Sequence, residues 1–146
     1  MKRIARSAIL GHGAGQVYDL VEHIEAYPRF LPWCLATKVS RGPQGTRATL
    51  DVGMRGLRQS FTTLNTNRPP ESIELRLVEG PFRRFAAAWR FEPLSSGACR
   101  IEFSLEYEFA SRALGKLLQP LFDRIADTMV DAFSRRADEI YGPDKG

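Results

Sequence analysis

Few residues in this chain have the types and spacing that chemistry needs. Gly11-His12-Gly13-Ala14-Gly15-Gln16 stands where a glycine-rich loop can offer backbone N–H groups to a pyrophosphate at a helix N-terminus. Its third glycine comes one residue early, and no acidic residue closes a second buried strand about 20 residues on. The segment therefore reads as a strand-to-helix connection. His12 and His23 have no i, i+4 partner and no nearby cysteine or carboxylate cluster, so they read as surface or cap histidines and no metal site is expected. Glu106 and Glu108 are spaced as a carboxylate pair. They share a strand face opposite Tyr107 and Phe109, and acid–base work needs a sheltered site. No Gly-x-Ser-x-Gly elbow is present. No catalytic residue is assigned, and the chain is expected not to be an enzyme.

Two basic groups remain: Arg55 with Arg58, and Arg83 with Arg84. Each lies at or near a predicted turn, where guanidinium groups can meet phosphates of RNA or of lipid headgroups. No base-stacking aromatic signature accompanies them, and ordinary solvated turns are the preferred reading.

The elements that would position these groups follow from hydrophobic period. Residues 3–10 can open the chain as a strand. Val17, Leu20, Val21 and Ile24 then fall at i, i+3, i+4 and i+7, an apolar stripe at helical period. The stretch Tyr27 to Cys34, with Pro28 and Pro32, ends that helix. From Ala48 the period becomes two: Ala48, Leu50, Val52 and Met54; Phe61 and Thr63; Ile73, Leu75 and Leu77; Phe85, Ala87, Trp89 and Phe91; and Cys99 through Phe109. Such alternation means an antiparallel sheet with one wet face and one covered face. Helical period returns over residues 112–141, with Leu118, Phe122, Ile125, Met129, Phe133 and Ile140 as the stripe and Gly142-Pro143 as the stop. Pro120 is expected to kink or divide this helix.

The sum is an α+β domain spanning 1–146, in which a sheet curls around one long helix. Trp89, Phe91, Phe103, Tyr107, Phe122 and Phe133 face inward, and periodicity alone leaves open whether they fill the interior or line a cavity. The 146 residues are 43% hydrophobic and 26% charged, which excludes disorder and needs no disulfide staple. Cys34 and Cys99 match no zinc spacing and are expected as reduced thiols of a cytosolic protein. Net charge is +4 and pI near 9.4, which permits an anionic partner without demanding one. No apolar run approaches the length of a membrane span. The C-terminal helix carries acids as well as bases on its polar side, unlike a helix built for an anionic lipid surface.

The phrases Tyr27-Pro28-Arg29-Phe30-Leu31-Pro32-Trp33-Cys34, Phe61-Thr62-Thr63, Leu77-Val78-Glu79-Gly80-Pro81-Phe82, Trp89-Arg90-Phe91, Cys99-Arg100-Ile101-Glu102-Phe103 and Met129-Val130-Asp131-Ala132-Phe133 stand in an order that resembles a known family. The chain is similar, over nearly its whole length, to the bacterial coenzyme Q-binding and ribosome-association toxin branch of the START-like (polyketide cyclase/dehydrase) superfamily. That resemblance implies a helix-grip fold: a curved antiparallel sheet of about seven strands around a long C-terminal helix, with a short helical pair after the first strand and an apolar cavity between.

The resemblance further implies a non-enzymatic binder of a hydrophobic ligand, with ubiquinone or a similar isoprenoid lipid as ligand and no required cofactor. The residues expected to line its site are Trp33, Phe61, Leu75, Phe85, Trp89, Phe91, Phe103, Tyr107, Phe122, Met129 and Phe133. Trp33, Trp89 and Tyr107 are the expected polar handles for a quinone ring. The alternative partner is the large ribosomal subunit, met through Arg55, Arg58, Arg83 and Arg84 so as to block subunit joining. Peripheral contact with the inner membrane surface is a further expectation, and a polyketide cyclase-like enzyme the lesser alternative.

Overall fold

The computed structural model describes residues 1–142. Pro143, half of the expected stop signal, lies outside the described residues with the last three positions of the chain. The element order is β1 (Lys2–Leu10), α1 (Ala14–Glu22), a 3-10 segment (Ile24–Arg29), β2 (Cys34–Gly42), β3 (Gly45–Met54), β4 (Leu57–Arg68), β5 (Ser72–Glu79), β6 (Phe82–Ser95), β7 (Ala98–Phe109) and α2 (Arg112–Tyr141). The strands form one antiparallel sheet in the order β1-β7-β6-β5-β4-β3-β2. The chain runs as a meander from β2 to β7, and β1 closes onto β7 at the far edge.

Period-two burial is clearest in β7, where Cys99, Ile101, Phe103, Leu105, Tyr107 and Phe109 are all buried and every second neighbour faces outward. That covered face meets α2, which buries Leu118, Leu121, Phe122, Ile125, Ala126, Val130, Phe133 and Ala137. Two expectations about α2 are corrected. Ile140, placed on the apolar stripe, is 49% exposed, because the helix there has run past the sheet. Pro120 does not divide α2, which is continuous over 30 residues. A proline inside a helix costs about 3 kcal/mol; here Leu118, Leu121 and Phe122 are buried on both sides of it and offset that cost.

The glycine segment acts as the expected connection. Gly13 is the N-cap of α1, and its N–H donates to Gln16 Oε1 at 3.2 Å. His12 departs from expectation: it is 5% exposed, and its Nε2 lies 2.7 Å from Asp138 Oδ1 near the end of α2. The strand β2, which the sequence pattern did not single out, is an edge strand with little buried surface. The turn Arg55-Gly56 between β3 and β4 has φ of 51° and 83°, the left-handed pair that a two-residue hairpin requires.

Charged side chains protect both sheet edges. On β1, Lys2 Nζ lies 2.6 Å from Asp123 and Arg6 3.0 Å from Asp127, both on α2. On β2, Arg41 Nε donates to Glu22 Oε1 at 2.6 Å and Arg41 Nη2 to Glu25 Oε1 at 2.9 Å. The hydrogen bonds from Arg41 hold the Glu25 carboxyl at about 2, against its ordinary 4.5. Protonating Glu25 therefore favours the unfolded chain, so its contribution is complete above about pH 4.5 and is lost as pH falls toward about 2. Urea midpoints measured across that window should fall more steeply in the wild type than in Arg41→Met; parallel slopes would remove the clamp from the account.

Candidate functional site

Between the sheet and α2 the two faces are mismatched in size, and a cavity of about 70 Å³ results. One aromatic cluster closes an end of it. Phe82 packs against Phe61, Phe85, Tyr107, Phe109 and Phe122 at centroid distances of 5.2–6.1 Å. At the other end Trp89 packs on Phe103 at 4.8 Å and on Phe133 at 5.2 Å, and Tyr27 meets Phe133 at 5.3 Å. Between the clusters the wall is built partly from Ala48 and Ala87, whose small side chains leave space that leucines would fill.

Of the eleven residues expected at a ligand site, Trp33, Phe61, Leu75, Phe85, Trp89, Phe103, Phe122 and Met129 line this cavity. Phe91, Tyr107 and Phe133 do not, which corrects their placement. Each is buried one layer behind the wall: Phe91 stacks on Trp89 at 6.3 Å, Tyr107 packs against Phe82 at 5.9 Å, and Phe133 sits behind Trp89 and Tyr27. The strand period for Phe91 and Tyr107, and the helical period for Phe133, put them on the inner face, but other rings pack between them and the open space.

The expected polar handles are also partly spoken for. Trp33 Nε1 donates to Thr128 Oγ1 on α2 at 3.1 Å, and that hydroxyl in turn donates to the Arg124 carbonyl. Tyr107 Oη accepts from Gln119 Nε2 at 2.7 Å, and burial pushes its pKa up. Trp89 keeps its place on the wall.

Strand β4 supplies two residues that the sequence reading missed, Asn65 and Asn67, beyond the inward Thr63 that it placed. Thr63, Asn65 and Asn67 follow Phe61 on the inward face, and all line the cavity. Thr63 Oγ1 donates to Asn65 Oδ1 at 2.7 Å, with both residues almost wholly buried. The signal was available in the alternation Phe61, Thr63, Asn65, Asn67, which continues the inward face beyond its last apolar member. Glu22 from α1 joins this polar end, already paired with Arg41.

The sheet is incomplete where β5 and β6 part. Their pairing ends at Arg76 with Ala86, so Leu77 to Glu79 have no β6 partner. Beside that split, Phe61, Leu75 and Phe85 are only partly buried. An outer groove across the sheet shares Leu75, Phe85, Ala87 and Leu105 with the cavity. Ligand pockets usually hold roughly 300–1,000 Å³, so a ring-sized ligand needs these half-buried side chains, with Leu50 and Met129, to move aside.

The four arginines do not merge into one contact. Arg58 lies 3.0 Å from Asp51 Oδ2, and Arg83 donates to the Ala110 carbonyl at 3.3 Å with Glu108 at 3.9 Å. Arg55 and Arg84 have no carboxylate partner among the described residues. The two groups sit on different hairpins, with β5 between β4 and β6. Glu106 and Glu108 face outward, opposite Arg3 and Arg83. Cys34 and Cys99 are free and buried, and burial pushes the Cys34 thiol up to about 11 and the Cys99 thiol upward as well. Among the described residues no group of three metal-ligating side chains is present and no helix is long and apolar enough to cross a membrane.

A family model described as polyketide cyclase/dehydrase and lipid transport matches residues 10–134. The chain is 42% identical over 140 residues to the ribosome association toxin RatA of Pseudomonas aeruginosa, covering 95% of this chain and 97% of that one. It is 39% identical over 142 residues to RatA of Escherichia coli, covering 97% and 90%. It is also 33% identical to the mitochondrial coenzyme Q-binding protein COQ10 homolog B of Xenopus laevis, covering 97% of this chain and 61% of that one. Among solved structures, the Zhui aromatase/cyclase of Streptomyces superimposes with a TM-score of 0.83 at 15% identity, covering 97% and 98%. An 18 kDa protein of Caulobacter crescentus gives 0.75 at 32% identity, covering 97% and 99%.

The layered packing separates structural from wall residues. Phe133→Ala should cost about 3–5 kcal/mol of stability, the usual range for emptying a buried aromatic site. Met129→Ala, at a half-buried wall position beside existing space, should cost distinctly less. Denaturant titration of both variants checks this, and equal losses would contradict the assignment of Phe133 to solid core.

Proposed function

The chain belongs to the polyketide cyclase/dehydrase and lipid transport family, and from that premise we propose that it is a non-enzymatic binding protein for an apolar ligand, an isoprenoid quinone. The observation that carries this reading is the cavity between sheet and α2, walled by aromatic and aliphatic side chains around Ala48 and Ala87. An isoprenoid tail is almost all apolar area, and removing it from water is worth about 25 cal/mol per Å². The yielding side chains at the β5–β6 split give such a tail a way in. Among the described residues the polar groups on the wall are those of Tyr27, Trp33, Thr63, Asn65, Asn67, Trp89 and the ion-paired Glu22, with no two carboxylates paired there. The name of the Xenopus relative supports the choice of quinone over other apolar ligands.

Mass spectrometry of an organic extract from natively purified protein tests the reading. Near-equimolar isoprenoid quinone is expected in the wild type. Ala87→Leu, which fills the cavity at a cost of about 1–3 kcal/mol, should retain the fold and lose about nine-tenths of the quinone, as should Trp89→Ala. A wild-type protein that carries none and ignores added quinone would overturn it.

A second reading, association with the large ribosomal subunit, is favoured by the relatives of 38–42% identity named ribosome association toxin. Arg55 and Arg84 are the exposed cations it would use, with Arg58 and Arg83 beside them. Arg55 holds a left-handed backbone that costs a non-glycine residue about 1–2 kcal/mol, so an asparagine or glycine there would be the stabler choice. Charge reversal of all four arginines to Glu should abolish co-sedimentation with 50S subunits at low salt. Undiminished co-sedimentation would remove these arginines from the interface.

A further inference from the structure

The proposed ligand has a head as well as a tail, and the cavity wall is not uniform. Its apolar end is formed by Phe61, Phe85, Phe122 and Met129, whereas Asn65 and Asn67 stand together at the end nearest α1. Asparagine is a poor strand former, and two of them on the covered face of β4 are more than packing requires. Asn65 is 3% exposed, and the Thr63 hydroxyl occupies its Oδ1 at 2.7 Å, which turns the carboxamide and leaves its N–H2 donors for another acceptor. Asn67 Oδ1 and the Tyr18 hydroxyl are both buried and lack any other partner among the described residues, and Asn67 lies close enough to bond that hydroxyl, which makes them each other's partners. Buried polar groups normally find partners, so the Asn65 N–H2 donors left open on the cavity wall point to an acceptor that arrives from outside the chain.

The backbone is fixed where this matters. Gly45, next to the Thr46 that pairs with Asn65, has φ of 123°, and a Cβ there would lie 2.3 Å from the Asn65 carbonyl oxygen, so only glycine admits this close approach of β3 to β4. Among the described residues no lysine or arginine lines the cavity, and Arg41, which reaches the wall residue Glu22, is committed to Glu22 and Glu25.

We infer that Asn65, with Asn67 and Tyr18 paired beside it, forms a polar subsite that donates to a carbonyl oxygen on the neutral ring of an amphipathic ligand, and so orients it head toward α1 and tail toward the β5–β6 split. The inference rests on the reading of the cavity as a ligand site. It excludes fatty acids and phospholipids as preferred ligands, because the subsite offers an anionic head no cation.

Titration calorimetry with probes of equal tail length tests it: geranyl-benzoquinone, geranylbenzene and geranic acid. The wild type should bind the quinone about tenfold more tightly than either of the others. Asn65→Leu should lower quinone affinity about three- to tenfold, the effect of one hydrogen bond, and leave geranylbenzene binding unchanged. Thr63→Val, which keeps shape but frees the Asn65 carboxamide, should give a smaller loss of the same kind, and it carries the test should Asn65→Leu fail to fold. Equal affinity for quinone and geranylbenzene, or quinone affinity unaffected by the substitutions, would overturn the subsite and leave the apolar cavity standing. Binding of none of the probes would overturn the ligand reading itself and the subsite with it.

Discussion

A rigid helix crossing a twisted sheet cannot stay in contact with it along its whole length, and everything distinctive in this molecule depends on how the gap is filled. At both ends of the contact, large rings fill it: Phe82 with Phe109 and Phe122 at one end, Trp89 with Phe103 and Phe133 at the other. In the middle the sheet offers Ala48 and Ala87. The aromatic ends act as spacers that hold α2 away from those alanines, so the space between is enforced by packing at its margins. A protein interior is close-packed, and an unfilled volume persists only where its surroundings cannot collapse into it.

Keeping the spacers in place requires the sheet edges to stay attached to the helix. The β6–β7 pair has the longest register in the sheet, whereas β1 and β2 each have one open side. Lys2 and Arg6 tether β1 to Asp123 and Asp127 of α2, and Arg41 tethers β2 to Glu22 and Glu25. Burial works against the Asp123 carboxylate, yet hydrogen bonds from Lys2 and Gln119 hold its pKa below the ordinary value. These exposed pairs are individually weak. Their value is geometric, since both edges are bound to helices and neither is free to pair with another chain.

The sequence was most legible where one face of an element is wholly buried. β7 alternates without a fault over its length, and α2 shows its stripe, because burial there leaves no freedom of residue type. β2 escaped because an edge strand with an exposed face needs no alternation. The same logic explains the site. Residue type and period place Phe91, Tyr107 and Phe133 on the inner face, but whether an inner residue meets empty space or another side chain depends on sheet curvature, which no local pattern encodes. Asn65 and Asn67 were passed over for the opposite reason: polar residues on a strand read as solvent-facing, and only their register after Phe61 and Thr63 places them inside. His12 misled similarly, since its burial depends on Asp138, far away in the chain.

Strand alternation also bears on how one small domain can support two kinds of partner. On β4 the inward residues Phe61, Thr63 and Asn65 belong to the cavity, while Arg58 lies outward with Asp51 of β3. On β6, Phe85, Ala87 and Trp89 face the cavity and Arg84 faces away, opposite Glu108. A side chain on one face of a strand can change without altering the chemistry of the other, so the two surfaces can carry separate functions on shared backbone. They are joined at only one kind of place: a hairpin whose tip and root move together. Arg55 sits at the tip of such a hairpin, and Leu50 and Phe61, paired across it, lie on the cavity wall at its root.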